Sequence, residues 1–182
     1  MEKLGWRVRS SRYLVESEHM RLRSDEVELP DGTVIANYYI RESRGFVMIF
    51  ALTPERDVVL VRQYRYGVDD TIVELPAGSI DAGEDPLTCA KRELTEETGY
   101  TASRWEPLMA MAAEPVRSNS RMHAFIAYDA RCTAPQELDL TETIEPFTVP
   151  LSQARALLRD GVFGSLACVA VAYAALDRLG EG

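Results

Sequence analysis

The sequence predicts an α/β (α+β) fold with a small β-rich segment in front of it. The main evidence is Phe46–Leu52, a continuous apolar run typical of a strand in a sheet that is covered on both faces. An amphipathic helical pattern follows Asp85, and residues 166–179 are Ala-rich and apolar nearly all round. A change from polar, turn-rich sequence to apolar runs places a boundary near residue 45. We therefore expect an N-terminal β-segment, residues 1–45, and a main domain, residues 46–182.

Turn and capping signals place the other elements. In the N-terminal segment, Pro30-Asp31-Gly32 indicates the turn of a hairpin. In the main domain, Pro76-Ala77-Gly78 predicts a sharp bend, and Ser152 is expected to cap a helix that ends at Asp160. The helix at residues 166–179 is expected to be buried. The predicted strands are residues 13–15, 34–40, 46–52, 58–65, 71–75, 105–112, 123–130 and 144–149.

The central helix has clear signals at both ends. Asp85 is a suitable N-cap, and Pro86 suits the first helical position, where its missing N–H costs nothing. Gly99 is placed to end the helix. Apolar residues spaced three, four and seven apart define the face expected to enter the core: Leu87, Ala90 and Leu94.

Composition and charge exclude several classes of protein. Lys and Arg number 20 against 29 Asp and Glu, which gives a formal net charge of −9 and disfavours binding to nucleic acid. The three cysteines form no CxxC pair, so we expect neither a disulfide framework nor a zinc site, and a reducing cytoplasm is the natural compartment. The longest apolar run, residues 166–176, is too short to cross a bilayer, and no signal peptide is visible.

Three glutamates lie opposite the apolar face of the central helix. Glu93 and Glu97 are four residues apart and Glu96 is three from Glu93, so their carboxylates can converge on one patch. Like charges at this spacing destabilise a helix by roughly a few tenths of a kcal/mol per pair. Taken alone, the pattern is more typical of a solvated acidic face. The alternative is a group of carboxylates gathered to hold a hard cation.

The residues around these glutamates resemble the Nudix box, G-x5-E-x7-R-E-U-x-E-E-x-G-U, in which U is a large apolar residue. Gly78 is followed after five residues by Glu84, and after seven more by Arg92-Glu93-Leu94-Thr95-Glu96-Glu97-Thr98-Gly99-Tyr100. Every fixed position is met, and Tyr100 at the last apolar position is an aromatic with a polar tip. The resemblance implies a Nudix-type α/β/α sandwich with a mixed sheet.

This resemblance also implies a chemistry. Nudix enzymes hydrolyse a nucleoside diphosphate linked to another group by attack of water on phosphorus, with Mg²⁺ or Mn²⁺ as cofactor. Arg92 is implied to orient the glutamates by ion pairing, while Gly78 and Gly99 are structural, at the loop bend and the helix end. The implied metal ligands are Glu93, Glu97, Glu96, Glu84 and the backbone carbonyl of Ala77, and Glu96 and Glu97 are also implied to be catalytic.

Segments outside the box resemble the ADP-ribose pyrophosphatase group of the family. The sequence from Glu74 to Glu84 is similar to the group's E-[LFI]-P-A-G-x-I-D-x-G-E pattern, residues 61–65 resemble V-x-Q-[FY]-R, and Pro115 follows Gly99 by 16 residues. The resemblance implies that Arg65 contacts the phosphate or ribose of the substrate and that Glu74 lies nearby in the cleft. The alternative for Arg65 is a strand-edge charge, and for Glu74 the partner of an arginine.

A further glutamate of this group is implied to hold or deprotonate the attacking water from a loop after the last sheet strands. Glu142 matches by its place before a strand that starts with Ile, and Glu145 is the reserve. Either can instead be an ordinary loop carboxylate. Residues 114–121 depart from the group's pattern, because Arg117 and Arg121 stand in a loop where acid is typical. These arginines either favour a different sugar or face solvent.

The resemblance predicts Mg²⁺-dependent hydrolysis of ADP-ribose to AMP and ribose 5-phosphate, by a homodimer formed through the N-terminal segment. One alternative is a broader nucleoside-diphosphate-sugar pyrophosphatase, for example acting on GDP-mannose. Another is a non-catalytic sensor of nucleotide metabolites. Such sensors usually lose box glutamates, and this sequence keeps all four.

Overall fold

The computed structural model describes residues 5–17 and 20–181. They divide into two compact units, one made of the residues up to Gly45 with Ala112–Arg121, and one of Phe46–Met111 with the chain from Met122 onward. The strands and helices of the described residues are β1 (Arg7–Glu16), β2 (Arg21–Glu28), β3 (Val34–Glu42), β4 (Phe46–Leu52), β5 (Asp57–Arg65), β6 (Asp70–Glu74), β7 (Ala77–Ser79), α1 (Pro86–Thr98), β8 (Tyr100–Thr101), β9 (Arg104–Ala112), β10 (Arg121–Tyr128), β11 (Arg131–Cys132), β12 (Ile144–Pro150), α2 (Leu151–Arg159) and α3 (Leu166–Arg178).

The first unit is a three-stranded antiparallel sheet in the order β1-β2-β3. The predicted hairpin between β2 and β3 is confirmed: Gly32 has a φ of 85°, and Leu29 N–H donates to Thr33 O at 2.8 Å. Residues 112–121 join this unit although they lie far along the chain. Arg41 N–H donates to Arg117 O at 2.8 Å, and Ser43 N–H donates to Asn119 Oδ1 at 2.8 Å.

The second unit is built on a mixed sheet. Its strands follow the order β12-β5-β4-β10-β9, with β6 beside β5 and β7 beside β4. Strand β4 is antiparallel to β5 and β7 and parallel to β10. Alternate residues of β4 point to opposite faces of the sheet, as strand geometry requires. These residues therefore belong to two separate cores.

Each core is closed by helices. On one face, Val47 and Ile49 of β4 pack in the same cluster as Leu94 of α1. On the other face, Met48 and Phe50 pack in a cluster with buried residues of α2 and α3: Leu151, Ala154, Leu158, Cys168, Val171, Ala172, Ala175 and Leu176. Helices thus cover the sheet on both sides, which confirms the predicted α/β/α sandwich with a mixed sheet.

Helix α1 begins and ends where the sequence predicted. Asp85 caps it by accepting hydrogen bonds from the N–H groups of Leu87, at 3.0 Å, and Thr88, at 3.3 Å. At the other end, Gly99 has a φ of 74°, and its N–H donates to Thr95 O at 2.8 Å. Local capping chemistry is sufficient to set both limits of this helix.

Two expectations about the C-terminal helices are wrong. Ser152 does not cap α2, because the helix begins at Leu151, whose side chain is buried and whose N–H donates to Arg56 O at 2.9 Å. Helix α3 is not buried all round, since it packs on one face of the sheet and leaves Leu166 and Tyr173 exposed. Among the described residues, no helix is long and apolar enough to cross a membrane.

Replacing Asp85 with Ala should lower the free energy of unfolding by about 1 kcal/mol, because two N–H groups of the first turn lose their acceptor. Asp85→Asn is the matched control, since its side-chain oxygen can still accept both bonds and should cost much less. Urea unfolding followed by circular dichroism measures both variants. Equal stability of Asp85→Ala and wild type would show that this cap does not contribute.

Candidate active site

Strand β7 and helix α1 bring together the residues of the G-x5-E-x7-REUxEExGU pattern. The predicted sharp bend at Pro76-Ala77-Gly78 is wrong, because Ala77–Ser79 is a short strand paired with Phe46–Met48 of β4. The reason lies in β4: β5 pairs with it only at Ala51 and Leu52 and then diverges. The first half of β4 is therefore open to β7, and no local sequence signal reveals this exchange of partners.

Gly78 lies directly against the Glu93 side chain of helix α1. A Cβ built on Gly78 would overlap the carboxylate of Glu93. That neighbour is the polar end of the side chain, so any larger residue at position 78 would have to displace the carboxylate from β7. Glycine here makes room for a carboxylate.

Glu97 is the most buried carboxylate of the group, with 5% of its surface exposed. Its Oε2 accepts the N–H of Ala77 at 2.9 Å. Burial raises the pKa of Glu97 to about 8, and the charges of Glu93 and Glu142 act in the same direction, while the Ala77 N–H opposes them. Within the described part of the chain, no Lys or Arg forms an ion pair with Glu97. This is a buried carboxylate that lacks a cationic partner.

Arg92 contacts the other three carboxylates of the pattern. Its guanidinium donates to both oxygens of Glu84 at 3.0 Å, to Glu93 Oε1 at 2.8 Å and to Glu96 Oε2 at 2.8 Å. The hydrogen bonds from Arg92 lower the pKa of Glu84 to about 2, helped by the N–H of Asp81. Burial raises the pKa of Glu93, and Arg92 opposes that rise. One side chain thus sets the relative positions of three glutamates.

The donor chemistry of this group fits a hard divalent cation. Carboxylate and carbonyl oxygens are the ligands that Mg²⁺ and Mn²⁺ prefer. The two carboxylates whose pKa is raised, Glu93 and Glu97, are those that gain most from a nearby positive charge. In the arrangement seen for residues 5–17 and 20–181, no three acidic, His or Cys side chains already converge as a metal site. In this arrangement Glu84, Glu93 and Glu96 are instead paired with Arg92.

Arg65 and Glu74 are paired across the neighbouring strands β5 and β6. Both Nε and Nη2 of Arg65 lie 2.7 Å from Glu74 Oε2. Glu74 is buried, whereas the Arg65 side chain remains 43% exposed. The charge of Arg65 also lowers the pKa of Glu97 slightly against the larger effect of burial. Arg65 is therefore held by Glu74, the partner that the alternative interpretation gave to that glutamate, and it also acts on the pKa of Glu97.

Glu142 and Glu145 have different surroundings. Glu142 lies in the loop between β11 and β12, where its Oε2 accepts the N–H of Asp139 at 3.2 Å. Its negative charge contributes to the raised pKa of both Glu93 and Glu97. Glu145 lies on β12, where it pairs with Arg62 at 2.9 Å. Of the two candidates, only Glu142 acts on the pKa of the α1 carboxylates, whereas Glu145 is engaged with Arg62.

The side chain of Gln136 makes a contact at the end of α1 that the sequence does not predict. The side-chain Nε2 of Gln136 donates to the backbone carbonyl of Glu97 at 2.6 Å and to that of Ile144 at 3.1 Å. The last carbonyls of any helix need partners from outside it, so a partner for Glu97 O was to be expected. The residue that supplies it depends on how the loop folds back, and no spacing pattern identifies it.

Two family models match the chain. The NUDIX domain model matches residues 43–166, and the model described as the nucleoside diphosphate sugar hydrolase N-terminal domain matches residues 6–40. The first match spans more than half of the chain and includes β7, α1 and the loop that carries Glu142. The second covers most of the β1-β2-β3 sheet.

Proteins similar to this chain along most of its length agree with these two family models. The methanol dehydrogenase activator of Bacillus methanolicus is 33% identical over 87% of this chain and 86% of its own length. The ADP-ribose pyrophosphatase of Bacillus subtilis is 31% identical over 98% of this chain and 97% of its own length. A crystal structure of an ADP compounds hydrolase shares the fold, with a TM-score of 0.86 at 24% identity over 100% of this chain and 99% of that one. With a matching family model and relatives that align along nearly the whole chain, this protein belongs to the Nudix hydrolase family.

Proposed function

We propose that this Nudix hydrolase cleaves the diphosphate bond of a nucleoside diphosphate sugar, with ADP-ribose as substrate and AMP and ribose 5-phosphate as products. The observation that carries the proposal is the buried Glu97 carboxylate, held by Ala77 N–H within a group of four glutamates. The ADP-ribose pyrophosphatase of Bacillus subtilis, which aligns along nearly the whole chain, supports the choice of substrate.

In this proposal, Mg²⁺, or Mn²⁺ in its place, is held by Glu93, Glu97 and the backbone carbonyl of Ala77, with Glu96 and Glu84 as further ligands. The cation would neutralise phosphate charge and lower the pKa of the attacking water. Arg92 orients the glutamates through its three ion pairs. Gly78 keeps the Glu93 carboxylate close to β7, and Gly99 ends the helix that presents the cluster.

Arg65 is proposed to bind the diphosphate or ribose of the substrate. Glu74 holds Nε and Nη2 of Arg65, which leaves other N–H groups of a largely exposed guanidinium available. A planar guanidinium that is fixed on one edge is suited to bidentate recognition of a phosphate on another. Glu74 then acts by orienting Arg65 in the cleft.

Glu142 is proposed to hold or deprotonate the attacking water. Its carboxylate is oriented by the N–H of Asp139, and its charge acts on Glu93 and Glu97, where the cation would be held. A carboxylate at the edge of such a cluster can accept a proton from water as phosphorus is attacked. Glu145 is engaged with Arg62 instead.

The N-terminal segment, residues 1–45, is proposed to form a homodimer, while residues 46–182 carry the hydrolase site. All ten residues of β1 are exposed, and they include large apolar side chains such as Val8, Tyr13 and Leu14. Exposed apolar side chains grouped on one strand are typical of a protein interface.

A substrate panel tests the proposed function. ADP-ribose, GDP-mannose, UDP-glucose, NADH and a nucleoside triphosphate are incubated with Mg²⁺ or with EDTA, and the products are separated by chromatography. We expect Mg²⁺-dependent release of AMP, fastest from ADP-ribose. If another nucleoside diphosphate sugar is cleaved fastest, the proposed reaction is correct and the proposed substrate, ADP-ribose, is wrong. Tight binding with no turnover of any compound would instead support a sensor.

Glu97→Gln should lower turnover by a factor of about 100 or more, because it removes a charged cation ligand without removing core volume. A loss of less than about tenfold, or about 1.4 kcal/mol of barrier, would contradict the ligand assignment. Glu181→Gln is the matched control, since it makes the same chemical change at the exposed ion pair with Arg56.

Glu97→Gln should also change the thermal stability of the protein when EDTA removes divalent cations. The folded-state pKa of Glu97, about 8, lies above the unfolded value of about 4.3. Between these values the folded chain keeps a proton that the unfolded chain releases, so stability falls as pH rises through this window. Glu97→Gln should therefore match wild type near pH 5 and melt at a higher temperature near pH 8. Parallel melting curves at both pH values would contradict this.

Glu142→Gln should lower kcat by about 100-fold or more with little change in cation affinity, because it removes a proton acceptor and keeps the size of the side chain. Glu145→Gln should retain wild-type kcat. Steady-state kinetics against substrate and cation concentration distinguish the two. If Glu142→Gln has the kcat of wild type, Glu142 does not activate the water, and Glu145 or another residue must do so.

A further inference from the structure

The loop between β11 and β12 is attached to the C-terminal end of helix α1. The last four carbonyls of a helix have no partner within it. The carbonyl of Glu96 accepts the N–H of Glu137 at 2.9 Å, and the carbonyl of Gly99 accepts the N–H of Thr133 at 2.9 Å. A Cβ on Gly99 would overlap Ala134 O, so the loop also lies close against the end of the helix.

Gln136 completes this attachment with its side chain. Its Nε2 donates to Glu97 O at 2.6 Å and to Ile144 O at 3.1 Å. Both partners are carbonyl oxygens, and the side-chain NH2 of Gln136 has two N–H donors, one for each of them. Ile144 is buried at the start of β12. Gln136 therefore joins the end of α1 to the start of β12. These bonds bring together the two ends of the segment that runs from Gln136 to Ile144.

The closed loop contains Glu142. Residues 139–143 of this loop are exposed, so packing into the core does not determine its position. Within the loop, Glu142 N–H donates to Asp139 O at 2.9 Å, and Asp139 N–H donates back to the Glu142 carboxylate. This turn fixes Glu142 relative to its own loop. The two bonds of Gln136 add to the backbone bonds at Glu96 and Gly99, and they are the side-chain link between the loop and Glu97, the residue that carries the buried carboxylate.

We propose that Gln136 is a positioning residue that sets the place of the Glu142 carboxylate relative to Glu93 and Glu97. It acts through the backbone carbonyls of Glu97 and Ile144 and takes no part in binding substrate or in moving a proton. The proposal rests on the proposed function, because it assumes that Glu142 serves the hydrolysis reaction. A displacement of about 1 Å in a reacting group can cost about 100-fold in rate, so the anchor of an exposed loop can control turnover.

The test begins with Gln136→Met, which keeps the length of the side chain and removes both N–H donors. We expect kcat for ADP-ribose with Mg²⁺ to fall about 10- to 100-fold while KM changes less than about twofold. Gln136→Lys, which restores N–H donors without an acceptor, should recover part of the lost rate. Gln153→Met makes the same chemical change at an exposed position of α2 and should leave the kinetics unchanged.

A double-mutant cycle separates positioning from a general structural effect. If Gln136 acts through Glu142, Gln136→Met should lower kcat in wild type but hardly at all in Glu142→Gln. An equal loss in both backgrounds would overturn the proposal, as would wild-type kcat in Gln136→Met. A rise in KM alone would overturn it as well.

Amide hydrogen exchange gives a readout that does not depend on turnover. In Gln136→Met, the amides of Glu137 and Glu142 should exchange faster than in wild type, while the amides in the middle of α1 should stay protected. Unchanged exchange at both loop amides would overturn the proposal. If wild type itself turns over no nucleoside diphosphate sugar, the proposed function fails, and the exchange experiment still decides whether Gln136 anchors the loop.

Discussion

The close approach of β7 to helix α1 is the constraint on which the site depends. Gly78 leaves open the space that the Glu93 carboxylate occupies, and beside it Ala77 N–H donates to the Glu97 carboxylate. A carboxylate buried as deeply as Glu97 would be costly without that hydrogen bond. The spacing of the family pattern thus has a direct physical meaning, since glycine and glutamate 15 residues later are in contact.

The sheet determines where this contact can form. Strand β4 pairs with β5 only at its C-terminal end, so its N-terminal half is available to β7. The same strand packs one set of side chains against α1 and the alternate set against α2 and α3. Both partners of the close approach are therefore positioned by one buried strand, which gives the polar site a rigid apolar support.

Features with local causes could be predicted from the sequence, whereas features with distant causes could not. Asp85 and Gly99 set the limits of α1 through their own capping chemistry. The hairpin turn falls at Gly32 because glycine tolerates the positive φ that the turn requires. The sequence does not predict strand β7, because β7 can pair with β4 only where β5 has diverged from it. The contacts of Gln136 were missed because its two acceptors belong to α1 and β12, which only the folded loop brings together.

The divergence of β5 from β4 also divides the polar residues of the second unit between two parts of its sheet. Strands β5 and β6 form a hairpin that carries Arg65 and Glu74, while the carboxylate cluster is built on β7 and α1. In the proposed function, the hairpin contacts the substrate and the carboxylate cluster holds the cation, so a substitution in the hairpin would leave the contact between Gly78 and Glu93 in place. A fold divided in this way would allow substrate recognition to change while the support of the cation site is kept.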